Sequence, residues 1–253
     1  MALLLVLLAL DVAYIVVGTL ALKACASAVF VIIGIVNLIY AILNKADLKF
    51  PIIMMIGLVF AMLGDIILNI HFIAGAALFG VGHVFFLIAY NFLNKFSWKD
   101  IVCSLVIFIP SMLFIVLAPI FDFNGIVMEI VAVVYAFIIS FMVGKAISNL
   151  IQKRSLINII ITIGSVLFFL SDLMLLLGSF ASLPVVGIIC LVLYYPAEFL
   201  LAFSLFVYGE KKIDGHWYYF DKNTGNKLTG WQAVSVKTGG TKTVYYDTNG
   251  WMI

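Results

Sequence analysis

Seven short polar breaks divide residues 2–208 into eight apolar runs, each close to the 20 or so residues that a helix needs to cross a bilayer. The breaks are Leu22–Lys23, Asn44–Lys49, Ile70–His71, Asn94–Asp100, Phe121–Gly125, Ser148–Arg154 and Gly178–Leu183. They predict helices over 2–21, 25–43, 51–69, 72–91, 101–119, 126–147, 156–178 and 184–208. With 66% hydrophobic and only 10% charged residues, the chain has too little polar surface to cover itself in water, so lipid is its solvent. The expected fold class is an all-α polytopic membrane protein of eight transmembrane helices. Met1 to Leu5 carry no basic residue, so the first run reads as a span and not as a cleaved signal.

The remaining charge sets further bounds. A formal net charge of +2 gives no reason to expect a nucleic-acid partner. Residues 1–209 hold eight Lys/Arg and eight Asp/Glu, whereas 210–253 hold six Lys and four acids, so a membrane domain over 1–209 gives way to a soluble tail over 210–253. Cys25, Cys103 and Cys190 sit singly in apolar runs, offering neither a disulfide framework nor a metal-binding pair. Lys45, Lys49, Lys95, Lys99, Lys145, Lys153 and Arg154 all fall on one side of the predicted helices and only Lys23 near the other. Basic loops face the cytoplasm, so both termini are expected there.

The stretches from Gly57 to Asp65 and from Gly164 to Asp172 align without a gap at an offset of 107 residues. Gly57/Gly164, Val59/Val166, Leu63/Leu170, Asp65/Asp172 and Leu68/Leu175 are identical pairs. The third and seventh helices run in the same direction, which predicts two parallel four-helix repeats. Ionisable side chains within spans are costly and usually face the bundle interior, and Asp65 and Asp172 are at equivalent depths. His83 in the fourth helix and Glu198 in the eighth, with Tyr90, Tyr194 and Tyr195, are placed to reach the same cavity. Asp65 or Asp172 alone would read equally well as glue between helices. Glu129 begins a helix, where an acid is stabilised without any function. Asp11 is ambiguous, and Lys23 near a helix end is able to snorkel to the interface.

These residues resemble the YhhN family of lysoplasmalogenases. The likeness lies in Gly57 to Asp65; in Phe72, Gly75, Phe79 and His83 running on to Tyr90; in Gly164 to Asp172; and in Tyr194, Tyr195 and Glu198, with Lys23 after the first helix. It covers roughly residues 1–208. Glu198 stands where the family more often has Gln, adding a charge to an acidic cavity. The resemblance implies an enzyme that hydrolyses the vinyl ether of a lysophospholipid, giving a fatty aldehyde and a glycerophospho-ethanolamine or -choline.

The residue types suit that chemistry on their own. Cleaving a vinyl ether requires a proton on carbon, an oxocarbenium ion, and water. One carboxyl group must keep its proton near neutral pH while another stays ionised, a division that two acids sharing a low-dielectric cavity make naturally. Asp65 and Asp172 are the expected catalytic pair, with the acid unassigned, and His83 relays a proton or binds phosphate. Lys23, Tyr90, Tyr194, Tyr195 and Glu198 are the expected substrate-binding residues. Asp65, His83 and Asp172 could instead ligate a metal, but a catalytic zinc site usually takes three ligands rich in His. Only His83 is well placed, so no metal and no cofactor is expected.

The tail is different in kind. Gly215 to Asp221 is an aromatic run that leads through Thr224, Gly225, Leu228 and Gly230 to Trp231, and Thr243 to Trp251 repeats the theme, which predicts β-hairpins. This pattern resembles choline- or glucan-binding repeats of bacterial surface proteins, which implies a bacterial plasma membrane. It also implies an aromatic cage for choline or a glycan from Trp217, Tyr219, Trp231, Tyr246 and Trp251. The plainer reading is that these rings form the hairpins' own core. Loop charge puts the tail inside the cell, whereas wall repeats work outside. A non-binding tail, a fusion or an odd number of spans would each remove the conflict.

Three function classes follow. The first is an integral-membrane lipid hydrolase. The second is a small proton-coupled transporter, for which parallel repeats with midplane acids also suffice. Pro110 and Pro196 are not at equivalent positions, which counts against its broken helices. The third, a surface-binding protein with a membrane anchor, needs neither eight helices nor buried acids.

Overall fold

The computed structural model describes residues 2–43, 47–181, 183, 186–206, 209–213, 216–220, 227–235 and 241–253. The loop lysine Lys45, the predicted helix start at 184, and the tail turn residues Gly215, Asp221, Thr224 and Gly225 lie outside the described residues. Among the described residues are eight helices, α1 (Ala2–Val17), α2 (Leu20–Leu43), α3 (Lys49–Leu68), α4 (Phe72–Leu93), α5 (Trp98–Leu117), α6 (Ile126–Gln152), α7 (Leu156–Phe180) and α8 (Val186–Ser204). Four strands follow: β1 (Gly209–Ile213), β2 (His216–Phe220), β3 (Gly230–Ser235) and β4 (Thr241–Tyr246).

Seven helices, α2 to α8, are long and apolar enough to cross a membrane, as expected for an integral membrane protein. The eighth, α1, corrects the reading of the first break. That break is at Gly18, where φ is +71°, and not at Leu22–Lys23. A glycine turning the chain inside an apolar run leaves no trace in hydropathy. With 16 residues, α1 rises only about 24 Å, short of the roughly 30 Å of bilayer hydrocarbon. Lys23 therefore belongs to the second turn of α2 and is buried there, not at an interface.

Short polar connections stop and restart the spans. The His71 side chain accepts from the Ala74 N–H at the start of α4 (3.2 Å), Ser97 and Asp100 form a capping box on α5, and Ser155 accepts from the Asn158 N–H on α7 (3.2 Å). Lys145 is a second correction. It lies within α6, as the predicted helix over 126–147 has it, but it is no basic loop residue: its ammonium is buried 2.8 Å from Asp100 and donates to the Lys95 carbonyl at 3.2 Å. Exposed Lys49, Lys95, Lys99, Lys153 and Arg154 still mark one end of the helices. In the alternating order of the spans, α8 finishes at that same end however α1 is counted.

The two halves pack alike. α3 lies along α4 as α7 lies along α8, and α2 meets α8 as α6 meets α4. Small residues make the first contact close: a Cβ on Gly57 would run into the Phe86 ring, and one on Gly75 into the Leu68 backbone. Outward faces carry exposed Val106, Leu117, Ile126 and Val127, which lipid solvates at no cost. The core between them is built on Phe30, Met54, Phe86, Phe168 and Tyr195. In the tail, β1 pairs antiparallel with β2 and β3 with β4, the predicted hairpins.

Candidate active site

The turn at Gly18 sets the phase of α2 so that Lys23 and Ser27, one turn apart, both face α3. Lys23 Nζ lies 2.9 Å from Asp65 Oδ1. The Ser27 hydroxyl is hydrogen-bonded to Asp65 Oδ2, and Tyr195 of α8 donates its phenolic hydrogen to the same oxygen (3.2 Å). Asp65 is 3% exposed. A buried carboxylate is tolerable only when its counter-charge and donors are complete, and here a cation and two hydroxyls complete them.

Asp172 is held differently. Tyr135 of α6 donates to Asp172 Oδ2 at 2.6 Å, and His83 Nε2 of α4 lies 2.8 Å from the Tyr135 oxygen and 3.4 Å from Asp172 Oδ2. A phenol has one hydrogen. With Asp172 ionised, Tyr135 gives it to the carboxylate and His83 Nε2 is then the donor to the phenolic oxygen. His83 Nδ1 is buried and unpartnered. The imidazole, phenol and carboxyl thus form a short chain along which a proton can pass. The edge of Phe168 supports it, its centroid 4.7 Å from that of His83.

Both acids open on one chamber of about 430 Å³. Lys23, Tyr194, Tyr14, Asn69, Ser179 and Cys190 also line it. A second, apolar cavity of about 280 Å³ lies between α4, α5, α6 and α7, with Asp172 in its wall as well. The expected site residues divide accordingly. Asp65, Asp172, Lys23 and Tyr194 line the chamber, His83 reaches it through Asp172, and Tyr195 through Asp65. Tyr90 does not: its hydroxyl meets Ser165 (2.8 Å) and its carbonyl accepts from Asn149. Glu198 is fully buried, with no partner on either carboxyl oxygen, and lines neither cavity.

Ser27 and Tyr135 are the functional groups that sequence reasoning missed. Ser27 had a usable signal, four residues after a lysine on one helical face. Tyr135 had none beyond being a hydroxyl in an apolar helix. At the repeat offset, His83 corresponds to Cys190, which lines the chamber. Among the described residues no three His, Cys, Asp or Glu side chains gather as a metal site would require. In the tail, Tyr246 is buried with Tyr219 beside it, centroids 6.2 Å apart, while Trp217, Trp231 and Trp251 are exposed. Trp251 stacks on His216 at 3.9 Å and donates to the Tyr218 hydroxyl.

Comparison with known proteins adds one likeness. The model of the YhhN family matches residues 26–205, from the first turns of α2 to the end of α8. Lys23 falls just before the match and the tail lies beyond it. No curated protein and no solved structure matches.

Proposed function

The chain belongs to the YhhN family, and on that premise we propose that it is an integral-membrane hydrolase that cleaves the vinyl ether of lysoplasmalogens. The observation that carries this reading is a pair of repeat-equivalent aspartates opening on one chamber with unlike partners. One carboxyl group adds its proton to the outer vinyl carbon, and the electron pair of the double bond forms that C–H bond. The ether carbon becomes an oxocarbenium ion, which the second, ionised carboxylate stabilises. Water adds to that carbon and loses a proton to the carboxylate. The hemiacetal then collapses: its hydroxyl proton leaves, the C–O bond to glycerol breaks, and the glycerol oxygen takes up a proton. Water and vinyl ether are consumed; a fatty aldehyde and a glycerophospholipid head are formed.

The Tyr135–His83 chain supports proton return to Asp172 between turnovers, and Lys23 offers a cation to the phosphate of the head group. The basic helix ends are taken to face the cytoplasm, with the tail on the same side. The test is release of fatty aldehyde from lysoplasmenylethanolamine by the purified full-length protein in detergent, compared with Asp65→Asn and Asp172→Asn. Release by the parent protein and loss in both folded variants is the expected result. No aldehyde from folded parent protein would overturn the reading and leave a proton-coupled carrier, which the two-fold arrangement of the halves also suits. Proton-linked uptake into proteoliposomes would then be measured.

A further inference from the structure

Resting on the hydrolase reading, we infer that the apolar cavity seats the substrate's hydrocarbon chain, so that the bond to be cleaved lies at Asp172 and the head group on the Lys23–Asp65 side. The two cavities share Leu68, Phe72, Phe79, Leu175 and Asp172 in their walls. Among the described residues, Asp172 is the one carboxyl group that borders both. On the chamber side are a cation, Lys23, and the neutral donors Asn69, Ser179 and Tyr14, a set suited to a phosphate ester and its glycerol. On the other side the wall is apolar except for Ser111, Tyr135 and Asp172.

The dimensions agree with a single chain. The cavity follows α6 from Met128 to Ile139, eleven helical rises or about 16 Å, close to the depth of one leaflet's hydrocarbon. A chain moving in from the bilayer exchanges lipid neighbours for Phe114, Ala132 and Leu176 with little change in solvation. The polar end of an amphiphile cannot follow it, because the apolar cavity leaves the phosphate no cation. The junction between polar head and chain must then rest where the two cavities meet. In a lysoplasmalogen that junction is the vinyl ether. Asp172 is therefore the carboxyl group that faces the reacting carbon, with Tyr135 and His83 behind it, and Asp65 acts from the head-group side.

The probe is a lysophospholipid with a saturated 1-O-alkyl chain, which cannot be cleaved, carrying a diazirine at the chain end. It is irradiated with the intact protein in detergent, and the labelled peptides are mapped. Labelling within Met128–Ile139 or at Phe114, competed by excess unlabelled analogue, is expected. Ala132→Trp should abolish it and lower the ratio of long-chain to short-chain aldehyde release about tenfold. Label confined to outward-facing Val106 or Leu117, or not competed, would show ordinary boundary lipid and overturn the inference. Aldehyde release with label outside the cavity would sink the chain site and leave the hydrolase reading standing. Competed label in the cavity without aldehyde would do the reverse.

Discussion

Asp65 and Asp172 occupy corresponding turns of corresponding helices, and the plan of their contacts is the same. Each takes its partners from the preceding helix of its own half and from the last helix of the other half. For Asp65 these are Lys23 with Ser27 on α2, and Tyr195 on α8; for Asp172 they are Tyr135 on α6 and His83 on α4. What differs is the chemistry at those positions. Asp65 is tied to a lysine ammonium and two hydroxyls, whereas Asp172, with a side chain 10% exposed, meets a phenol and an imidazole and touches both cavities. The helices around the two acids are arranged alike, and the different side chains they present leave one carboxylate paired with a cation and the other beside a phenol and an imidazole.

The largest expected effect breaks the comparison at its reactive half. Asp172→Asn should lower kcat by about 10²- to 10⁴-fold, the usual worth of a general acid, with the melting temperature little changed. Asp65→Asn should instead be felt first in stability. It leaves the buried Lys23 ammonium without a counter-charge, at a loss of about 3–5 kcal/mol read from thermal unfolding in detergent. An Asp65→Asn protein as stable as the parent would mean that Lys23 is not held as the structure shows. The double variant Lys23→Met/Asp65→Leu sharpens the point. Removing both charges should recover most of the lost stability and none of the lost activity.

Tyr135→Phe ranks next, because it removes the one donor on Asp172 Oδ2 that also receives from His83. A hydrogen bond to a charged group is worth about 1.5–3 kcal/mol, so aldehyde release should fall at least tenfold with binding of the saturated ether unchanged. Ser27→Ala is the smallest. It deletes one of the three donors on Asp65 and should lower stability by about 1 kcal/mol while leaving turnover measurable.

Much of this was legible in the chain. Run length and the absence of charge gave the spans, and the paired Gly-to-Asp stretches gave both the repeat and its acids. What the sequence hid was of two kinds. The Gly18 break was hidden because hydropathy reads side chains and the turn is made by backbone. Lys145 and Lys23 were misjudged because a lysine near the end of an apolar run looks like a loop residue unless its partner is known, and Asp100 and Asp65 lie on other helices. Ser27 and Tyr135 escaped for the same reason: their worth depends on which helices touch.

The Lys145–Asp100 pair has a mechanical consequence. Among the contacts of α5, those with α6 dominate, and Asp100, Ser104 and Ile115 are its only buried residues among those described. The helix is thus a cantilever, clamped at its first turn by an ion pair that Ser97 and Gln152 brace. About 15 Å along it, Pro110 deprives the Val106 carbonyl of its helical donor. The beam is therefore stiff at its root and weakest where it borders the hydrocarbon-lined cavity. Along its far half, lateral pressure from the bilayer meets a helix that lacks one backbone hydrogen bond and borders the cavity directly.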